Sequence, residues 1–222
     1  LPRPVFGYIS GGSERNQTLD INFHDLQKIK FIPNILRDVS ERSISTSLFG
    51  NKWDAPFGIS PMGVSALAAY RGDIVLAEAA RNMNVPMIIS GSSLIPMEEI
   101  IKLAPETWFQ AYLPGEHDKV EKLVLRVKNA GFKTLILTVD VSVLAGRENN
   151  LRNGFSTPLR PSFRLMYDGM IRPKWTLNTF LRTLLIHGMP HFENFLADRG
   201  EPVFSATINR DFGKRSNLNW EH

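Results

Sequence analysis

The sequence predicts an α/β chain built from parallel βαβ units, and two observations carry that prediction. Four short apolar runs recur with helical patterns between them, and polar residues gather where those runs end. The runs are Pro56 to Pro61, Pro86 to Gly91, Thr107 to Tyr112 and Thr134 to Asp140. In the first helical pattern Ile74, Leu76, Ala77, Ala80 and Met83 fall at helical spacing, and a second, short one covers Met97 to Ile101. A third runs from Asp118 to about Ala130, with Val120, Leu123, Val124 and Val127 on one face and Gly131 placed to terminate it. Strands and helices that alternate across short loops form parallel units, in either an open doubly wound sheet or an eight-stranded barrel. Pro61-Met62-Gly63, Ser90, Gln110 with Tyr112, and Thr138 with Asp140 all lie at or near strand C-termini. Barrel active sites are built at that end, so the reading adopted is a (β/α)8 TIM barrel of which this chain supplies about the first four βα units.

Around this block the chain divides into further parts. Residues 1–55 read as a leading segment and 56–158 as the first half of the barrel. Residues 159–218 read as an inserted excursion, and 219–222 as the start of a second half. Gly11-Gly12 superficially resembles a phosphate loop, but no strand precedes it and no Gly-Lys-Ser/Thr follows, so a turn is the better reading. The chain begins at Leu1 without an initiator Met and ends shortly after Leu218-Asn219-Trp220, which suggests that both ends are cut from something longer.

The end of the fourth run bears most directly on chemistry. A strand buried on both faces is a continuous apolar run, so Thr138, Asp140 and Arg147 at its end suggest a site; ordinary turn residues with a solvated Arg147 are the alternative. In the excursion, Leu177 to His187 forms an amphipathic pattern with Phe180, Leu181, Leu184 and Leu185 on one side and Arg172, Lys174 and Arg182 around it. A basic and apolar excursion suits an anionic membrane interface, while a lid or a subunit contact would use the same pattern.

Composition excludes several classes. With 222 residues, 43% of them hydrophobic, the chain can bury one sizeable core, or the larger part of a bigger one. The absence of cysteine removes disulfides, thiolate metal sites and iron–sulfur ligation. A formal net charge of +4 without clustering favours an anionic ligand or surface only weakly and gives no case for nucleic acid. The most apolar stretch, Phe180 to Phe195, is broken by Arg182, His187, Pro190 and Glu193, so no spanning helix is expected.

Five motifs in order carry a resemblance: Phe6 to Glu14, Pro33 to Ser40, Ile59 to Gly63, Trp108 to Tyr112, and Thr138 through Gly146-Arg147-Glu148 to Phe155. Together they resemble the FMN-dependent L-2-hydroxy acid dehydrogenase and oxidase family. Ile171 to Leu177, His187 to Pro190 and Leu218 to Glu221 are most similar to its membrane-associated mandelate and lactate dehydrogenases.

The resemblance implies an FMN cofactor, with Pro61, Met62 and Gly63 alongside the flavin and Ser90, Gln110 and Thr138 bonded to its polar edge. It implies that Tyr8 helps hold the substrate carboxylate, that Tyr112 contacts the substrate hydroxyl, and that Arg147 favours the charge developing as the Cα–H bond breaks. Asp140 would orient a histidine base; as a residue read without the family, it could equally cap the next helix. The base, a second arginine, a lysine near flavin N1 and the phosphate loops would lie beyond His222. None of His24, His117, His187, His191 and His222 sits in a matching motif.

The activity so implied is oxidation of a mandelate- or lactate-like acid with electrons passed to a membrane quinone. The protein would be a homo-oligomer, a tetramer by resemblance, in the cytoplasm or peripheral on the inner face of the cytoplasmic membrane. Gly63 stands where many of the oxidases carry alanine, which tilts the reading to a dehydrogenase over an oxidase making hydrogen peroxide. A different phosphate-binding barrel enzyme and a non-catalytic half-barrel fragment or interaction module are the competing readings.

Overall fold

The computed structural model describes residues 1–140, 145–204 and 219. The leading segment holds more regular structure than its sequence promised. Helix α1 (Arg3–Ser10) has a proline at its first turn, and α2 (Gln17–Lys28) follows it. A hairpin of β1 (Thr46–Leu48) and β2 (Asn51–Trp53) then turns at Phe49-Gly50, both at positive φ as a tight two-residue turn requires.

The predicted first strand, Pro56 to Pro61, is reduced to a single parallel bridge, Ile59 to Met87. Its prolines have no N–H for a ladder, so only Ile59 exchanges bonds, donating to Pro86 O at 2.9 Å and accepting from Ile88 N at 3.0 Å. Helices α3 (Ser65–Ala68) and α4 (Gly72–Asn82) follow. Strand β3 (Ile88–Ser90), helix α5 (Met97–Leu103), strand β4 (Trp108–Ala111), helix α6 (His117–Ala130) and strand β5 (Leu135–Leu137) complete the alternating block. The three strands form a parallel sheet in the order β3-β4-β5, pairing Ser90 with Gln110 and Gln110 with Ile136.

Burial follows the helical periods with two exceptions. In α4, Ala77 and Ala80 face the core, whereas Met83 lies one residue past the helix and is exposed. In α6, Val120, Leu123 and Val127 are buried, whereas Val124 sits at the edge of that face. Gly131 ends α6 in the left-handed region at φ 102°, its N–H returning to Lys128 O, as its position in the sequence implied. One core packs Met87, Ile89, Phe109, Leu123 and Phe132 between sheet and helices. Each such side chain contributes about 1.5–3 kcal/mol on leaving water.

A second core joins parts far apart in sequence: Val5 of α1, Leu67 of α3, Leu94, Phe155, and Leu159, Phe192 and Val203 of the excursion. The excursion closes on itself, since Leu159 N donates to Val203 O at 2.7 Å. Helix α7 (Glu148–Asn153) lies just upstream of it. Within it are α8 (Phe163–Met170) capped by Ser162, α9 (Pro173–Trp175), a π-helical turn (Thr176–Leu181) and α10 (Arg182–His187). The predicted helix over 177–187 is thus a π-helical turn running into α10. The wider i to i+5 turn lets Phe180 stack on Trp175, with centroids 5.6 Å apart and planes at 6°. Trp175 Nε1 donates to Leu67 O at 2.7 Å and ties the excursion to α3. On the outer side Phe163, Met166, Leu177 and Leu185 are exposed. Among the described residues no helix is long and apolar enough to cross a membrane.

Candidate active site

The C-terminal ends of the three parallel strands carry one row of neutral hydrogen-bonding groups. Ser90 Oγ donates to Gln110 Oε1 at 3.1 Å, and Gln110 Nε2 donates to Thr138 Oγ1 at 2.7 Å. Register aligns Ser90 with Gln110, and the ladder continues one residue past β5, where Thr138 N donates to Ala111 O at 3.1 Å. Ser90 and Gln110 are buried, so their mutual bonds satisfy groups that would otherwise be costly to desolvate. Gly91 N also donates to Gln110 Oε1, at 3.3 Å, and Ser92 N donates to Ser90 Oγ at 3.1 Å.

Backbone comes close to this row at two glycines. A Cβ on Gly91 would lie 3.0 Å from Gln110 O, and one on Gly63 would lie 3.2 Å from Ser92 Cβ and 3.6 Å from the Tyr8 hydroxyl. Pro61, Met62 and Gly63 therefore run past the end of β3, tied there by the bond from Val64 N to Ser92 O at 3.1 Å.

Tyr8 and Arg147, 139 positions apart, meet because α1 packs on α7. Asn149 Nδ2 donates to Gly7 O at 2.6 Å, Arg3 Nε donates to Asn153 Oδ1 at 3.1 Å, and Gly7 has no side chain to collide with Asn153. The Tyr8 ring stacks on Phe155 at 4.3 Å, and the Arg147 guanidinium lies 5.5 Å from the Tyr8 ring centroid, within cation–π range. Arg147 remains solvent-exposed and is free of a carboxylate ion pair among the described residues, which leaves its charge available to an anion.

The predicted residues thus form two groups, Ser90/Gln110/Thr138 and Tyr8/Arg147, linked through Gly63. Tyr112 is half-buried at the end of β4, near Gly91. Asp140 stands exposed past β5, and no hydrogen bond or ion pair joins it to a histidine among the described residues. His187 instead bonds the Tyr70 hydroxyl at 2.8 Å, and His191 Nδ1 pairs with Met189 O at 2.8 Å; His222 lies outside the described residues. Sequence reasoning missed Asn149, Ser92 and the aromatic partner of Tyr112, which is Phe195 at 6.3 Å. Asparagines in a short polar helix and a phenylalanine 83 residues downstream give no periodic signal by which to find them.

Two carboxylates, buried Asp73 and partly exposed Glu98, depart from their ordinary values. Burial pushes the Asp73 carboxyl above its ordinary value, opposed by Ser93 Oγ, which donates to it at 2.8 Å. Burial also raises Glu98, but the Arg126 fork at 2.8 and 3.0 Å outweighs it and leaves that carboxyl below its ordinary value.

Comparison with known proteins decides the family. The family pattern described as FMN-dependent dehydrogenase matches residues 1–222. The chain belongs to the FMN-dependent dehydrogenase family. It is 31% identical over 222 residues to (S)-mandelate dehydrogenase of Pseudomonas putida, covering all of this chain and 55% of that protein. It is 35% identical to the L-lactate dehydrogenase of Serratia proteamaculans, over 91% of this chain and 52% of the relative. Among solved structures, the monotopic membrane protein (S)-mandelate dehydrogenase superposes with a TM-score of 0.79 at 34% identity, over 88% of this chain and 51% of that one. A mandelate oxidase superposes with a TM-score of 0.68 at 32% identity, over 71% of this chain and 48% of that one. The chain spans about half the length of the relatives it matches, and its parallel βαβ block is part of a TIM barrel. The donor set suits the cofactor of the family: hydroxyl and amide groups answer the mixed donors and acceptors of a flavin's polar edge without adding charge.

Proposed function

We propose that these residues form the N-terminal half of an enzyme that oxidises an L-2-hydroxy acid, mandelate-like or lactate-like, to the 2-oxo acid with FMN. The observation that carries this reading is the Ser90–Gln110–Thr138 row beside Gly63, with Tyr8 and the exposed Arg147 on its other side. One group presents neutral partners to a heterocycle, and the other presents a phenol to a carboxylate and a cation to the charge that develops beside it. FMN supplies, when bound, the acceptor for the two electrons that leave the substrate carbon.

In this reading Pro61, Met62 and Gly63 line the ring, and Ser90, Gln110 and Thr138 hold its polar edge. Tyr8 donates to the substrate carboxylate and Tyr112 to the substrate hydroxyl oxygen. Arg147 lowers the energy of the negative charge that develops at the substrate, a role suited to an exposed guanidinium that has no carboxylate ion pair among the described residues. Asp140 orients a histidine base supplied by further chain. Arg147→Met in the FMN-loaded full-length enzyme is expected to slow flavin bleaching by a 2-hydroxy acid about 100-fold. An unchanged rate removes Arg147 from the reaction.

For the acceptor we propose a membrane quinone. The exposed Phe163, Leu177 and Leu185, flanked by Arg164, Lys174 and Arg182, suit an anionic lipid interface, and the similar mandelate dehydrogenase is described as monotopic. The reading includes a peripheral position on the inner face of the membrane and a homo-oligomer. Replacing residues 177–187 by a polar loop is expected to release the enzyme from sedimented membranes with flavin reduction intact. Rapid reoxidation by oxygen with hydrogen peroxide formed would favour the oxidase reading instead.

A further inference from the structure

The excursion returns to the barrel through Glu193-Asn194-Phe195, and that return is bonded more densely than a simple connection requires. Asn194 is 0% exposed; its Oδ1 accepts from Met97 N at 2.9 Å and its Nδ2 donates to Ile95 O at 2.7 Å. One side chain thereby closes the first turn of α5 against the loop that follows β3. Glu193 N donates to Ser93 O at 3.2 Å, so the same loop is held at a second point. Arg126, already forked on Glu98, donates to Glu193 O at 2.7 Å and to Leu196 O at 3.1 Å and fixes the segment from the other side. The Glu193 side chain is itself held by Arg199 at 2.8 Å.

Packing these bonds around residue 194 aims residue 195 at the site. The Phe195 ring is 8% exposed and lies against the Tyr112 ring, 6.3 Å between centroids and 28° between planes. Asn194 O and Tyr112 Cδ2 would both lie 3.7 Å from a Cβ on Gly91, so the return segment, Tyr112 and the loop after Ser90 meet at one point. A tyrosine on the loop after a strand has several rotamers open to it, and a fixed aromatic neighbour removes those that swing its hydroxyl away.

We propose that Phe195, seated by Asn194 and Arg126, is a positioning residue that holds the Tyr112 hydroxyl toward the substrate. The inference rests on the assignment of Tyr112 to the substrate hydroxyl made above. It gives the excursion a second role, in which its return leg forms one wall of the reaction site. Phe195 touches neither substrate nor flavin in this scheme and acts through Tyr112 alone, which makes the proposal testable by a double-mutant cycle.

In the FMN-loaded full-length enzyme, Phe195→Leu is expected to lower the limiting rate of flavin bleaching by a 2-hydroxy acid about tenfold while changing half-saturation less than about twofold. Phe195→Tyr, which keeps the ring, is expected to return the rate to within about twofold. In a Tyr112→Phe background, Phe195→Leu is expected to have almost no further effect; full additivity would overturn the proposal while leaving the role of Tyr112 standing. A Tyr112→Phe variant as fast as the parent would overturn the role of Tyr112 and the proposal with it.

A second readout needs no turnover. The chain has four tyrosines, so fluorotyrosine labelling gives four ¹⁹F resonances from this half, with that of Tyr112 identified by its loss in Tyr112→Phe. Phe195→Leu is expected to shift the Tyr112 resonance and leave those of Tyr8, Tyr70 and Tyr167 in place. An unmoved Tyr112 signal would overturn the proposal, as would an equal shift of all four. Should Phe195→Leu fail to fold, Phe195→Met takes its place with the same outcomes read.

Discussion

Strands β4 and β5 are both mainly apolar and have opposite surroundings. Trp108–Ala111 is buried at every residue, with β3 and β5 on its two edges and Phe109 wholly enclosed. Leu135–Leu137, next in order and just as apolar, leaves both leucines 40% exposed, because β4 is its one ladder partner among the described residues. An apolar parallel strand is stable where both faces and both edges are covered, so β5 marks the edge at which a closed barrel would continue. The site divides along the same line: Ser90 and Gln110, on the enclosed strands, are fixed by several bonds, whereas Asp140, past the open one, stands exposed.

Perturbation of the two strands should separate them sharply. Phe109→Ala is expected to cost about 3–5 kcal/mol in urea unfolding, since the enclosed ring leaves a cavity its neighbours cannot fill. A loss below about 1 kcal/mol would mean that β4 is not the packed centre. Ser90→Ala strips Gln110 of one buried partner and should cost about 1–3 kcal/mol by the same measurement. Leu137→Ala in this chain should cost under about 1 kcal/mol because the side chain is already partly in water. In a longer chain that completes the barrel the same change should cost about 2 kcal/mol or more, and equal losses in both would argue against closure at β5.

The smallest effect concerns pH. Asp73 is buried behind the loop after β3, and its carboxyl is raised above 3.8. A raised acid favours folding fully only below its unfolded value, and that contribution fades as pH rises through the folded one. Wild type should therefore lose stability relative to Asp73→Asn as pH rises from about 3 to about 7 in parallel urea titrations. A constant difference would show that burial does not govern Asp73.

Much of the alternating block was legible from residue order. Helices α4, α5 and α6 declare themselves by period, and Gly131 by its left-handed stop. Ser90, Gln110 and Thr138 were found because each lies where a strand ends, and the parallel register then aligns them. Pro56 to Pro61 failed as a strand because hydrophobicity says nothing about missing N–H groups until a partner must be paired. Helix α1 was missed because it is short, and it is held in place by Val5 in the second core and by Asn149 and Asn153, which lie far along the chain.

Elements whose cause is local can be read from residue order: helical period, the Gly131 stop, and the polar groups that close each apolar run. Which of those groups meet is set by packing between distant segments. The stacking of Tyr8 on Phe155, the approach of Arg147 and the seating of Phe195 on Tyr112 all depend on contacts between segments separated by tens of residues. Such contacts form because burying apolar faces and pairing backbone groups fix the segments together, and no window of neighbouring residues encodes that.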